Sequence, residues 1–172
     1  RAGALGDLID ERFTGDKHFW SAAIVDRPKS RKKFDENIET YRPEGSFTED
    51  EKIGFFADLT GIFPVSMVMS QRIMDKLDAK GVPPISEYDR DLMFCWGIIR
   101  SVTKKKTKNG KPFFVVKVID SNSVETQIRC WGVDPDKDSL AINRAYMLKP
   151  KHSADWGFST YGDVNNTWAI LI

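Results

Sequence analysis

The sequence predicts an α+β protein in which a helical N-terminal part precedes a β-rich C-terminal part. Over the first ninety residues, apolar side chains recur every three or four positions, as on an amphipathic helix. From Leu92 the period changes to two, as in strands that bury one face. Asn109-Gly110, between two apolar runs, is a strong hairpin signal because a tight turn needs positive φ angles. We expect a helical module over residues 1–90 and a β domain over residues 91–172.

Helix signals are clearest in the middle of the first part. A stripe of three apolar residues at i, i+4 and i+7 predicts a short helix that ends at Pro43. Its members are Phe34, Ile38 and Tyr41. Thr48 followed by Glu51 is a capping-box pattern, which opens a helix from Glu49 to about Leu59 that should end at Gly61. We expect this helix to bury Ile53, Phe56 and Ala57.

A further helix is predicted over residues 65–80, because Val65, Met69, Ile73 and Leu77 lie on one stripe and Gly81 can end it. Residues 82–91 should form a linker to the β domain. There, three strands should form a meander through the runs 92–99, 113–119 and 124–131, with a turn at 120–123 before the third. A short helical connection over 134–142 and strands over 145–151 and 167–172 should follow.

This order of elements is typical of a five-stranded OB-fold β-barrel. Gly97 inside the first strand suits the bend that such a small barrel needs. Phe114, Val116 and Val118 should point into the barrel. On the third strand, the inward set should be Val124, Thr126, Ile128 and Cys130, and the outward set Glu125, Gln127, Arg129 and Trp131.

Positive charge is concentrated in the β domain. Residues 92–172 contain 12 Lys and Arg against 7 Asp and Glu, a net charge of +5, whereas residues 1–91 carry −4. Five lysines crowd into the predicted hairpin loop 104–111, at the tip of the first two strands. Exposed lysines attract nucleic-acid phosphates, and aromatic rings beside them can stack on bases, as in single-strand binders. The predicted nucleic-acid-binding residues are Arg100, Lys104, Lys105, Lys106, Lys108, Lys111, Phe113, Lys117, Arg129 and Trp131.

Other interpretations of these residues remain open. The lysines of the hairpin also suit a solvated turn that keeps a sheet edge soluble. Phe113 and Trp131 also suit an interface with the helical part or with another protein. Trp156, Phe158 and Tyr161 fall in a Gly-containing loop between the last two predicted strands, the second place where OB domains grip ligands.

The composition excludes several classes of protein. No apolar run approaches the length of a membrane span and no charged-then-apolar leader opens the chain, so we expect a soluble, cytoplasmic protein without membrane partners. Cys95 and Cys130 both lie in apolar strand-like runs, which suits buried thiols in a reducing compartment. The chain begins at Arg1 without Met, within an apolar segment, and we therefore expect a fragment of a larger protein.

Metal and catalytic motifs find no support. Residues 134–138, Asp-Pro-Asp-Lys-Asp, begin like a calcium loop, but Ser139 stands at its sixth position and Ala145 at its twelfth. A helix start with Pro in the first turn accounts better for this segment. His18 and His152 lie far apart in the sequence without cysteine or paired carboxylate patterns. We expect no catalytic residue, no metal and no cofactor.

Three segments in succession resemble the bacterial DNA polymerase III alpha subunit of the C family. Residues 2–8, Ala-Gly-Ala-Leu-Gly-Asp-Leu, resemble the Ala-Gly-Ala-Phe-Asp segment that closes its helix-hairpin-helix region. Residues 51–64 resemble its Glu-Lys-Glu-x-Leu-Gly-Phe-Tyr-Leu-Ser-Gly-His-Pro stretch. Residues 95–99 and 107–113, Cys-Trp-Gly-Ile-Ile and Thr-Lys-Asn-Gly-Lys-Pro-Phe, resemble the start of its OB domain. The order and spacing of these segments agree with the family over most of the chain.

The resemblance implies a piece from the C-terminal region of a replicative DNA polymerase, downstream of the polymerase's metal-binding carboxylates. Such a piece should bind single-stranded template DNA without catalysing polymerisation, while its parent is a DNA-directed DNA polymerase. Ile62-Phe63 replaces the family's His of the Gly-His-Pro step, and no clear Gln-x-x-Leu-Phe pentapeptide supports sliding-clamp binding. This divergence suits a viral or otherwise unusual replicase.

Two alternatives to template binding belong to other classes of function. The OB domain can instead dock another replisome subunit, with Phe113 and Trp131 as anchors. It can also be a tRNA-binding OB domain of a synthetase-like enzyme, although the N-terminal motifs argue against this alternative.

Overall fold

The computed structural model describes residues 9–90, 92–154, 157–164 and 168–172. The fold is mixed α+β, with helices in the first part of the chain and one curled seven-stranded sheet in the second, as the sequence predicts at this level. The chain divides into two compact units, one up to Ile62 and one from Phe63 onward. Residues 63–90 therefore belong to the same unit as the sheet, whereas the sequence groups them with the helical module. Residues 2–8, which carry the first segment of the family resemblance, lie outside the described ranges.

The first unit consists of short helices. They are α1 (Asp16–Phe19), a π-helix (Trp20–Val25), α2 (Arg31–Tyr41), a 3-10 helix (Arg42–Glu44) and α3 (Glu49–Thr60). The helix predicted before Pro43 is confirmed as α2. It begins where the Ser30 side chain accepts a hydrogen bond from the backbone N–H of Lys33, which satisfies one of the unpaired donors of the first turn.

The capping box of α3 forms as the sequence predicts. The Thr48 hydroxyl accepts from the backbone N–H of Glu51 at 3.2 Å, and the Glu51 carboxylate accepts from the backbone N–H of Thr48 at 2.8 Å. Gly61 ends the helix with a φ of 70°, in the left-handed region that glycine adopts without steric cost. Ile53 is buried as expected, whereas Phe56 and Ala57 are only half-buried.

Two buried polar side chains hold the first unit together. The Nδ1 atom of His18 accepts from the backbone N–H of Thr14 at 3.0 Å, so its Nε2–H donates to the carbonyl of Ile38 at 2.7 Å. Asn37 donates to the carbonyls of Ala22 and Asp26, at the π-helix and just after it. His18 therefore has a structural role, in which both ring nitrogens are engaged with the backbone or a hydroxyl.

The prediction of a single helix over residues 65–80 is wrong. This segment forms two helices, α4 (Val65–Val68) and α5 (Gln71–Asp78). The backbone of Met69 between them is extended, with a ψ of 124°. The Met69 side chain is buried, with 2 % of its surface exposed. The predicted linker is also more ordered than expected, because a 3-10 helix (Ile85–Glu87) places Ile85 in the core of the sheet.

Seven strands form the sheet, where the sequence predicts five. They are β1 (Cys95–Lys106), β2 (Pro112–Ile119), β3 (Glu125–Trp131), β4 (Ala145–Leu148), β5 (Lys151–Ser153), β6 (Gly157–Tyr161) and β7 (Ala169–Leu171). Their order is β5-β6-β3-β2-β1-β4-β7. All pairs are antiparallel except β3 with β6.

The strand count differs for two physical reasons. The predicted fourth strand breaks at Lys149-Pro150, where proline has no N–H for a ladder. Its first half, β4, pairs with β1, and its second half, β5, pairs with β6. In addition, β6 forms in the segment that the sequence predicts as a loop. The bent segment β4–β5 thus runs from one side of the curled sheet to the other.

The core lies on the inner face of this sheet. The inward set on β2 is confirmed, since Phe114, Val116 and Val118 are all buried. On β3, Ile128 and Cys130 are buried, but Val124 is 45 % exposed and lies just before the strand. The connection 134–142 is not helical: a single turn at Asp134–Asp138 is followed by chain without regular secondary structure.

Gly97 is needed because of its neighbours on the inner face. A Cβ atom at this position would overlap Cγ1 of Val118 on the paired strand. The strand irregularity itself falls slightly later, where the register of β1 and β2 shifts between Ile99 and Ser101.

Candidate nucleic-acid interface

The basic hairpin forms, but its turn is shorter than the sequence predicts. Strand β1 continues to Lys106, and the turn is Thr107–Gly110, closed by a hydrogen bond from the N–H of Gly110 to the carbonyl of Thr107 at 3.0 Å. Gly110 has a φ of 76°, whereas Asn109 is not in the positive region. A turn followed by a left-handed glycine replaces the expected two-residue turn. Lys104, Lys105 and Lys106 therefore lie on a strand and not in the loop.

The strand geometry sends these lysines to opposite faces. Lys105 is paired with Phe113, on the outward face, and Lys104 with Phe114, on the inward face. The Lys104 ammonium donates to the carbonyl of Pro135 at 2.6 Å and lies 5.9 Å from the centre of the Phe114 ring. Lys106 is opposite Pro112, on the same face as Lys104. Of the three, only Lys105 lies on the outward face.

An aromatic row crosses the outward face at the same level. Phe113 on β2 is directly opposite Trp131 on β3, and the two rings are stacked, with centroids 4.5 Å apart and an interplanar angle of 23°. Trp131 is in turn paired with Tyr161 on β6, which is 74 % exposed. Side chains at paired positions share a face, so Lys105, Phe113, Trp131 and Tyr161 form a continuous row across four strands. We call these four residues the aromatic row.

A second row lies on the same face, two residues away along each strand. It contains Thr103, Val115, Arg129 and Ser159, which are paired in the same way. Arg129 and Ser159 line a surface cavity of about 350 Å³ together with Trp131 and Ser153. The cavity thus offers a guanidinium and two hydroxyls beside the indole ring, a combination that suits a polar, flat ligand.

Lys117 lies on the same face at the next level, opposite Gln127. Its ammonium is 2.7 Å from the carboxylate of Glu125, and both side chains are about half exposed. An exposed ion pair of this kind contributes little to stability, so a phosphate can compete for the lysine.

Arg100 is placed apart from the aromatic row. Its guanidinium lies 4.1 Å from the centre of the Phe63 ring and donates to the side chain of Asn143 at 3.0 Å. The positive charge of Arg100 is therefore engaged by contacts within the fold. By contrast, the exposed ammonium groups of Lys105, Lys108 and Lys111 form no ion pair within the described part of the chain.

Sequence reasoning missed Ser159, and it placed Tyr161 in a ligand-binding loop and not on a strand beside Trp131. Both lie on β6, where Thr160 is buried between the outward-facing Ser159 and Tyr161, and their place in the site follows from the pairing of β6 with β3. Phe158 packs inward, 5.9 Å from Tyr88 and 4.8 Å from His152 between ring centroids, and so is not a surface residue of the site. Trp156 lies outside the described residues.

Carboxylates of the acidic segment 134–138 accept hydrogen bonds from backbone N–H groups. Asp138 accepts from the N–H groups of Asp134 and Val164, at 2.7 Å and 3.1 Å, while Asp134 accepts from the N–H of Asp136 at 3.1 Å. In the ranges that the structure describes, no group of three or more His, Cys, Asp or Glu side chains could hold a metal ion.

No protein-family model matches this chain, and no curated protein matches it significantly in sequence. In the same described ranges, none of the helices combines the length and the apolar character that crossing a membrane requires.

Proposed function

We propose that the second unit is an OB-type barrel that binds single-stranded nucleic acid across its outward face. Strand order supports the fold assignment. If the bent segment β4–β5 counts as one strand, the order β1-β2-β3-β6 is closed by that segment, and β7 is an addition beside β4. OB domains bind oligonucleotides on the face of their second and third strands and with the loops beside them.

The aromatic row is the observation that carries the proposal. Two stacked rings and an exposed tyrosine lie level with one another, and the basic turn begins at one end of the row. Bases of any sequence can stack on such rings, while lysines favour phosphates without choosing among bases. Paired bases in a duplex do not expose their ring faces, so the row favours a single strand.

The wider proposal concerns the parent protein. The resemblance to the C-family DNA polymerase III alpha subunit leads us to propose that the chain is a non-catalytic piece of a cytoplasmic replicative polymerase. Its task is then to hold single-stranded template near the polymerase core. Nucleotidyl transfer needs carboxylate-bound metal ions, and these belong to another part of such an enzyme.

Replacement of Trp131 tests the proposal. We expect Trp131→Ala to weaken binding of a fluorescent oligothymidine by about 1–3 kcal/mol, the usual contribution of one stacked base. Val124→Ala is the control, because Val124 is an exposed apolar residue adjoining the opposite end of β3. A folded Trp131→Ala protein with the wild-type binding isotherm would contradict the proposal.

Docking of another replisome subunit is the second candidate, because the stacked Phe113 and Trp131 rings are also suited to anchoring a protein. The same variant separates the two candidates. Under docking, Trp131→Ala leaves DNA affinity unchanged and weakens binding of the partner subunit.

A further inference from the structure

A second cavity lies at the bend where the segment β4–β5 leaves β1 and begins to pair with β6. It has a volume of about 330 Å³ and borders the bend between β4 and β5 and the end of β6. We call it the seam cavity. Three aromatic side chains, two lysines and a threonine line it, among other residues: Tyr88, Tyr161, Trp168, Lys149, Lys151 and Thr160.

The seam cavity adjoins the aromatic row through Tyr161, which belongs to both. Lys151 is paired with Ser159 on the outward face. Lys149 lies before Pro150, at the break between β4 and β5, where its backbone N–H donates to the carbonyl of Trp168 at 2.8 Å, and it lines the seam cavity together with Tyr161. The outward face thus continues from the aromatic row to Lys151, and Lys149 joins it at the cavity. Five strands at about 4.8 Å spacing make this path roughly 15–20 Å long.

We infer that the nucleic-acid path runs from the basic turn over the aromatic row and ends in the seam cavity, which holds one nucleotide. Tyr161 provides the surface for the base, and Lys149 and Lys151 provide the charges for the phosphate. The Lys149 ammonium lies 5.9 Å from the Phe94 ring centre, and neither lysine forms an ion pair within the described ranges, so both charges are open to a phosphate. This inference rests on the proposed function and adds a second anion subsite to it.

The test compares Lys149→Ala/Lys151→Ala with a charge-matched control, Lys76→Ala/Lys80→Ala, since all four lysines are exposed. Oligothymidines of about 4 to 16 nucleotides, the range of site sizes for OB folds, are titrated at several salt concentrations. For long oligonucleotides, the slope of log affinity against log salt should become less negative by about 1.4, from about 0.7 per lost contact. For the shortest, which the aromatic row alone can hold, the affinity should hardly change. The control should match the wild type.

Calorimetric titration with thymidine monophosphate shows whether the seam cavity binds the end of a strand or a free nucleotide. If the monophosphate binds and only its binding responds to Lys149→Ala/Lys151→Ala, the cavity is a free-nucleotide site and the continuous path is overturned. If the double variant keeps wild-type affinity and slope at every length while Trp131→Ala binds weakly, the seam inference fails and the proposed function stands. If the wild type binds no oligonucleotide, the proposed function fails with it.

Discussion

Alternation along β1 decides what each lysine of the hairpin can do. Neighbours in the sequence point to opposite faces, so Lys104 donates to the carbonyl of Pro135, while Lys105 stands beside Phe113 on the outward face. A substitution of Lys104 therefore removes a contact within the fold as well as a charge. The lysines that can act on a ligand without this complication are Lys105, Lys108 and Lys111.

The two cysteine thiols should be unreactive in the folded protein. Burial raises the pKa of both Cys95 and Cys130 to about 12, because a thiolate is poorly solvated in the core. Both thiols are free in the structure. We expect neither to react with a thiol reagent such as iodoacetamide at pH 8 in the native protein, and both to react once the chain is unfolded. Mass spectrometry after timed alkylation measures this reactivity, and rapid labelling of the native protein would contradict the burial of these thiols.

At the scale of elements, α3 of the first unit depends on a charged capping arrangement. A hydrogen bond from Lys17 to Glu51 at 2.8 Å, with further bonds from Thr48, lowers the pKa of Glu51 from 4.5 to about 2. A lowered pKa in the folded state means that the stabilisation is fully present above about pH 4.5 and disappears as the pH falls through about 2. Glu51 is thus a source of acid sensitivity in the helical unit.

We therefore expect Glu51→Gln to lower the unfolding midpoint at pH 7, and the difference from the wild type to shrink between pH 5 and pH 2. Thermal unfolding of the whole chain, followed by circular dichroism at several pH values, measures the difference. Glu49→Gln is the control, since Glu49 lies in the same first turn but its side chain is 73 % exposed. A pH-independent difference for Glu51→Gln would show that lost geometry and not lost charge causes the effect.

Replacement by alanine should change the stability of the protein in opposite directions at two glycines. A Cβ at Gly97 would overlap the Val118 side chain, so Gly97→Ala should destabilise the protein by about 1–3 kcal/mol through overpacking. Gly54 lies inside α3 with open space around its missing Cβ, so Gly54→Ala should stabilise the helix by about 0.5–1 kcal/mol. Urea unfolding of both variants tests this pair, and a destabilising Gly54→Ala or a neutral Gly97→Ala would contradict the packing.

At the scale of the whole molecule, the sequence predicts the elements that local signals define. The capping box at Thr48, the helix before Pro43 and the hairpin around Gly110 all have a local physical cause, and all are confirmed. The break at Met69 and the strand at 157–161 could not be predicted in this way. Each depends on partners far along the chain: a buried side chain for the first and the edge of β3 for the second.

In the candidate site, too, only the features with local signals could be predicted from the sequence. The stacking of Phe113 on Trp131 could be foreseen from their outward positions on adjacent strands, whereas Tyr161 joins the row only through the parallel pairing of β6 with β3. Strand order is set by the entire sheet, and no local pattern reveals it. For this reason the sequence predicts the basic end of the interface more completely than its aromatic end.

The salt dependence of single-strand binding separates a nucleic-acid interface from a solvated turn. We expect wild-type log affinity for an oligothymidine to fall with log salt with a slope of about −2 if three lysines contact phosphates, from about −0.7 per contact. Changing Lys105, Lys108 and Lys111 together to Ala should flatten that slope and weaken binding to all sequences alike. Since these side chains are exposed, stability should change by less than about 0.5 kcal/mol for each. The control changes Arg72, Lys76 and Lys80, which are equally exposed and lie in or just after α5, outside the hairpin. A triple variant with the affinity and salt slope of the wild type would mean that the hairpin is only a solvated turn and not part of a nucleic-acid interface.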